Sequence, residues 1–359
     1  MVWIASLALK DIRVMADAEI EPIKGLNFIC GPNGAGKTSV LESIYLAGRG
    51  RSFRHPDAGP LVRRDAHSAR VVLKLWDENG DRVRVLGVER ARSEMRCRFD
   101  GREVAKRSQL AEALPIQFIS SQPQLLLGMG PDVRRRFLDL ALFHVEHRFL
   151  AVYSRVQKSL RQRNAALKQG QAEQVSAWDQ SFVEAGNDLT TMRKQVSADV
   201  FDRAQRILLG WGLDLGVAYR YRQGWRKEMT LAEALSTRLS EDMERGFTGV
   251  GPQRADIEFL SDNGLAEKRL SRGQQKMFVI ALNLAISDMV ADLSNGVCRP
   301  VFLIDDLAAE LDGQNLAKVL AALGERDVQV FVALIDPPAP GTVEILPAKV
   351  FHVEHGTIK

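Results

Sequence analysis

The segment Gly31-Pro32-Asn33-Gly34-Ala35-Gly36-Lys37-Thr38 constrains this chain more than any other. It fits the pattern GxxxxGK[ST]. The short apolar run Leu26 to Cys30 precedes it, and a helical pattern from Lys37 to Ala47 follows, closed by Gly48 and Gly50. Strand, glycine-rich loop and helix is the context the motif requires. The glycines let backbone N–H groups curl around phosphates, and the helix adds its positive dipole end. All eight residues are therefore expected nucleotide-binding residues. Lys37 is expected to reach the β- and γ-phosphates of ATP, and Thr38 to hold Mg²⁺ through its hydroxyl. Cys30 reads as a small buried strand residue.

Composition narrows the setting. A chain of 359 residues is long enough for two ordinary domains, and 45% hydrophobic with 26% charged residues excludes a wholly disordered or fibrous chain. Three cysteines, Cys30, Cys97 and Cys298, do not make a disulfide framework and suit a reducing cytosol. Met1 to Leu9 lacks the basic start of a secretory signal. The long apolar stretch Met277 to Leu293 is interrupted by Asn283, Ser287, Asp288 and Asp292, which argues for a buried helix, not a membrane span. The expectation is a cytoplasmic protein with no membrane partner. A net charge of +4 permits a nucleic-acid partner.

Strand patterns run through Ile4 to Leu9, Met15 to Ile20, Val71 to Trp76, Arg82 to Val88, Met95 to Phe99, Arg102 to Val104 and Pro115 to Ser120. From Pro131 to about Leu209 the pattern is helical, with Gly210 a plausible stop. Thr230 and Glu233 have capping-box spacing and open a helix ending near Gly246. Alternation then returns: a strand at Asp256 to Leu260, a helix at Ser271 to Leu293, a strand at Val301 to Asp305, a helix at Asp312 to Leu323 and a strand at Gln329 to Leu334. The organisation expected is an α/β domain assembled from residues 1–122 and 250–359, with a mostly helical insertion at 123–249.

The strand Val301 to Ile304 runs into two carboxylates. In a P-loop protein the first, Asp305, belongs at Mg²⁺. The second, Asp306, is placed to orient or deprotonate the attacking water. Between the loop and this pair lies Leu270-Ser271-Arg272-Gly273-Gln274-Gln275, where Ser271 and Gly273 open a helix and offer another anion site. The order of phosphate loop, insertion, Ser-x-Gly-Gln helix and acidic strand is similar to that of ATP-binding-cassette ATPases, and Ala309-Glu310-Leu311-Asp312 sits where those proteins carry their D-loop.

The whole chain resembles the RecF family of recombination-mediator ATPases, which are related to SMC heads. The resemblance rests on Gly31 to Arg54, Arg134 to Asp139, Gln162 to Gln169, Gly251 to Asp256, Leu270 to Lys276 and Leu303 to Asp312. There are departures. The expected Phe-Arg-Asn triplet reads Ile12-Arg13-Val14, leaving Arg13 as the nucleotide contact; Gln253 replaces a histidine; Ala309 replaces a serine; and no switch histidine follows Leu334. Gln122 and Gln124 both suit the glutamine loop, with Gln122 preferred. The resemblance implies a slow, DNA-stimulated ATPase that dimerises on ATP, each nucleotide lying between the phosphate loop of one subunit and Ser271 of the other. It further implies double-stranded and gapped DNA, RecR with RecO, and the recombinase filament as partners, in repair, replication and the SOS response.

Between Arg134 and Lys168 stand nine Lys and Arg against two acidic residues. Arg148, Arg155 and Lys158, with Arg161 or Arg163, can share one helical face and attract a DNA backbone. Arg51 and Arg54 suit either phosphate contacts or salt bridges, and Trp178, Trp211 and Trp225 read as core residues. Two other functions are compatible with the phosphate loop: a nucleotide-switched clamp with negligible hydrolysis, and the ATPase subunit of a transporter. Arg272 and the missing switch histidine speak against the transporter, and the insertion is too short for an SMC-type coiled coil with a hinge.

Overall fold

The computed structural model describes residues 1–54, 61–91, 94–122, 124–262, 264–338 and 347–359. Two units follow from the internal contacts: Met1–Pro123 with Val290–Lys359, and Gln124–Met289. The expected two-ended assembly is present, but residues 250–289 group with the second unit. The strand Asp256–Ser261 explains this, because its partner in the ladder is Val217–Arg222, a strand of the same unit that the sequence reading did not anticipate.

Among its described residues the first unit holds two six-stranded sheets. One is antiparallel and runs in the order Met15–Ile20, Val2–Ile12, Ser68–Asp77, Arg82–Ala91, Met95–Phe99, Arg102–Glu103. Its strands alternate as half-buried strands should: Ala69, Val71, Leu73 and Leu75 point inward, and the residues between them are more exposed. In Val2–Ile12 the register shifts between Ile4 and Ser6, which lets Ile4 and Leu7, three residues apart, share the core face. The other sheet has the order Thr357–Ile358, Ala348–Glu354, Leu26–Cys30, Val330–Leu334, Val301–Ile304, Ile116–Ile119. Its five longer strands pair in parallel, and three of them are buried along their whole length.

The helix Lys37–Arg49 packs against strands of both sheets, and its Val40, Leu41, Ile44 and Ala47 join one core cluster with Leu7, Leu73, Leu303 and Phe331. Gln329, fully buried, stitches the sheets: its amide donates to the Ile4 carbonyl at 2.8 Å and the Ile23 carbonyl at 2.9 Å, while its carbonyl accepts from the Ile4 N–H at 2.8 Å.

The second unit is mainly helical. Pro131–Val145 starts with its proline at the first turn. Phe149–Lys168 packs along the 39-residue helix Ala172–Gly210, which buries Val175, Phe182, Leu189 and Val196 at seven-residue spacing. Arg193 is buried there and forks onto Asp139 at 2.8 Å. The Thr230–Glu233 capping box forms as expected. The helix it opens breaks at Arg238 and resumes as Leu239–Arg245, ending at Gly246.

Candidate nucleotide site

The phosphate loop connects the buried strand Leu26–Cys30 to the helix Lys37–Arg49. Gly31 passes so close to the Val353 carbonyl that a Cβ there would lie 2.1 Å from its oxygen. Gly36, the residue before the helix, has φ of 120°, a conformation that disfavours any side chain. The helix has no side-chain cap and no acidic residue in its first turn. The Ser39 N–H bonds back to the Gly36 carbonyl at 2.9 Å, and the amides of Lys37 and Thr38 with the helix dipole suit an external anion. The Lys37 ammonium folds over the loop, donating to the carbonyls of Gly31 at 2.6 Å and Pro32 at 2.9 Å.

The second half of the site stands on the parallel sheet. Val301–Ile304 carries Asp305 to within 3.0 Å of the Thr38 hydroxyl, which donates to Oδ1. Burial pushes the Asp305 carboxyl above its ordinary range, and Asp306 adds to the shift, while the Thr38 hydrogen bond, Arg54 and Lys37 oppose it. Asp306 follows with φ of 51°, in the left-handed region that a non-glycine residue adopts at a cost. Both carboxylates line a cleft of about 600 Å³ together with Asn33, Gly34, Gly36, Lys37 and Thr38. Every described lining residue belongs to the first unit.

These residues fit ATP with Mg²⁺. An uncapped helix end and an ammonium suit phosphates, and a hydroxyl beside the half-buried Asp305 carboxylate suits a cation that keeps several of its waters. Among the described residues no group of three or more His, Cys, Asp or Glu gathers as a metal site, so a self-sufficient metal cage is not what the site offers.

Other expected residues fall as follows. Arg13 lines the cleft, but its guanidinium is forked onto the buried Glu42 of the loop's own helix, at 2.5 and 2.8 Å. Its side chain thereby ties the first strand hairpin to the phosphate-loop helix. Arg54 lines the cleft, and so does Arg64, which sequence reasoning missed because nothing in its loop marks it. Gln122 is exposed, one position beyond Ser121, which does line the cleft; the side chain of Gln124 lies outside the described residues. Cys30 is buried, and burial is the main reason its thiol is pushed up to about 11.

Ser271 and Gly273 stand on the second unit. Ser271 is exposed, and its hydroxyl accepts from the Gln274 N–H at 3.2 Å while the Gln274 side chain accepts from the Ser271 N–H at 2.9 Å. This is a capping box opening the helix Arg272–Leu293.

The basic run splits. Arg148, Arg155, Lys158 and Arg161 are exposed, with Arg155 paired to Glu184 at 3.1 Å and Arg148 near Glu146 at 3.7 Å. Arg163 is fully buried between Asp179 and Asp242, at 2.8 and 3.0 Å, so of the two alternatives only Arg161 is on the surface. Arg134 forks onto Asp256 and Arg135 bonds the Ala255 carbonyl, both structural roles. Trp211 is buried as expected, but Trp178 and Trp225 are half-buried.

Residues 3–359 match the family described as RecF/RecN/SMC N terminal domain. The DNA replication and repair protein RecF of Azotobacter vinelandii is 40% identical over 97% of this chain and 95% of its own length. That of Stutzerimonas stutzeri is 37% identical over 99% and 96%. A solved structure of the recombination mediator protein RecF with ATP, in the RecFOR pathway, superposes with a TM-score of 0.85 at 19% identity, covering 100% of this chain and 97% of that one. The Smc head domain of Pyrococcus furiosus superposes at 0.60 and 16%, covering 100% and 96%. No helix among the described residues is long and apolar enough to cross a membrane.

Proposed function

Because this chain belongs to the RecF family and has the ATPase-head fold of RecF and SMC proteins, we propose that it is an ATP-dependent DNA-binding protein of replication and recombinational repair. The observation that carries the reading is the convergence of Lys37, Thr38, Asp305 and Asp306 in one cleft of the first unit, while Ser271 is exposed on the second.

The cleft residues divide the work. Lys37 exchanges two loop carbonyls for phosphate oxygens, and the uncapped helix end supplies N–H donors. Thr38 and Asp305 present the oxygens of a cation site. Mg²⁺, when bound there with ATP, would neutralise charge on the phosphates. Asp306 orients the attacking water. Ser271 is free to meet the nucleotide of a second subunit, so that ATP closes a homodimer and slow, DNA-stimulated hydrolysis opens it. The dimer would bind double-stranded DNA near gaps in the cytoplasm and help load the recombinase onto single strands, with RecR and RecO as working partners and a link to the SOS response.

Light scattering and DNA binding, each with and without ATP, test the reading on wild type and Lys37→Met. Mass and DNA affinity should both rise with ATP in wild type and in neither case in Lys37→Met. A monomer whose DNA affinity ignores nucleotide would overturn the coupling.

A further inference from the structure

The second unit carries a cleft of about 620 Å³ that the nucleotide chemistry does not use. Among the described residues five arginines line it: Arg222, Arg226, Arg238, Arg245 and Arg254. The carboxylates around them are too few. Glu258 serves both Arg222 at 2.8 Å and Arg220 at 2.5 Å. Glu241 serves both Arg238 at 2.6 Å and Arg245 at 2.8 Å. Asp256, the acid on the wall, is taken by the Arg134 fork. Arg226 and Arg254 have no ion pair among the described residues, and the Nε of Arg238 is buried there without a hydrogen-bond partner. Guanidinium groups crowded two to a carboxylate repel one another, and an arriving polyanion relieves that repulsion.

Aromatic surface lies in the same wall. Phe247 is 38% exposed, unusual for its type, and the Arg254 guanidinium sits 5.7 Å from its ring centre. Trp225 is half-buried, with its indole N–H held by the Met229 carbonyl at 3.1 Å. Planar forked donors match phosphate, and an exposed ring beside them matches the face of an unpaired base. A duplex offers no such face, and an acidic peptide would leave the ring unused.

We propose that this arginine cleft is a binding site for an unpaired DNA strand, with guanidinium groups on its phosphates and Phe247 against a base. The proposal rests on the DNA-binding reading above and adds to it a surface separate from the exposed stripe of Arg148, Arg155, Lys158 and Arg161.

Fluorescence anisotropy of a dye-labelled single-stranded oligonucleotide tests it, using the full chain with ATP. Arg226→Ala combined with Arg254→Ala should weaken binding at least tenfold. It should also flatten the dependence of log affinity on log salt by about 1.4, the loss of two phosphate contacts on a single strand. Phe247→Ala should weaken binding and leave that slope unchanged, a signature that general loss of charge does not produce. Arg206→Ala, an exposed arginine elsewhere on the unit, serves as the charge control and should change neither. ATP-induced thermal stabilisation should persist in all variants, because the phosphate loop belongs to the first unit. If wild type binds DNA and the double variant binds it equally well, the cleft is not the site and the functional reading stands. If wild type binds no DNA, both fall. If polyglutamate displaces the oligonucleotide as effectively as unlabelled DNA, the cleft is a general anion surface and the proposal fails.

Discussion

Asp305 answers two demands that pull against each other. Its place at the end of a fully buried strand pushes its carboxyl up, so ionising it costs the folded protein stability. Its place beside Thr38 requires that same charge when a cation arrives. The sign follows from linkage. A carboxyl whose folded pKa is raised favours folding below its ordinary value of 3.8, and that contribution is lost as pH rises through the raised value. Asp305→Asn keeps an acceptor for the Thr38 hydroxyl and removes the charge. Without nucleotide it should therefore melt higher than wild type at pH 7, with the difference closing toward pH 3.8. In the same variant the extra stabilisation that Mg²⁺ gives to ATP binding should disappear. Calorimetry across that pH range reads both effects, and a variant that melts lower at pH 7 would show that Asp305 is already neutralised by its neighbours. Residue identity made this acid legible, since an apolar strand ending in a carboxylate pair is a strong signal once a phosphate loop is known. The basic residues were less legible. Arg161 and Arg163 have equivalent spacing, and only Asp179 and Asp242, contributed by other helices, decide that Arg163 is internal.

Between elements, Gln329 shows what periodicity does not report. It precedes the strand Val330–Leu334 and reads as the polar edge of an apolar run, yet it is fully buried and closes three hydrogen bonds to the backbone at Ile4 and Ile23. Gln329→Ala would leave the Ile4 N–H and carbonyl without these partners in the core, while the Ile23 carbonyl keeps the Asn27 amide as donor at 2.9 Å, and would open a cavity, at a cost of about 3 kcal/mol. The melting temperature should fall by roughly 6–12 °C. Gln329→Met fills the volume without the bonds and should recover less than half of the loss; full recovery would assign the effect to packing alone. Elements whose signal is local were legible: the strands that alternate, the helix that follows the phosphate loop, the Thr230–Glu233 cap. Val217–Arg222 and the hairpin Ala348–Glu354 with Thr357–Ile358 were not. Each is a short strand whose pairing partner is distant or unmarked, the one held by Asp256–Ser261 and the other in parallel register with Leu26–Cys30.

For the whole molecule, the two-ended α/β assembly with its inserted helical unit was legible from motif order, because a strand and its loop at the start must pair with strands from the end to build one parallel sheet. The arginine cleft was not, since it gathers residues from separate stretches between 222 and 254 that look unrelated along the chain. The division of the chain into two units gives Ser271 its testable meaning. It is exposed on the second unit, and among the described residues the cleft holding Lys37 and Thr38 is lined by the first unit. If Ser271 acts on the nucleotide of another copy, Ser271→Arg should bind ATP with affinity within about twofold of wild type, a change under ~0.5 kcal/mol. It should fail to gain mass with ATP in light scattering. Mixing it with an excess of Lys37→Met sharpens the point, because one copy then retains an intact phosphate loop and the other an intact Ser271. That mixture should form dimers with ATP where neither variant does alone. Loss of ATP binding in Ser271→Arg by itself would place the serine at the nucleotide of its own chain, and recovery by mixing would then be impossible.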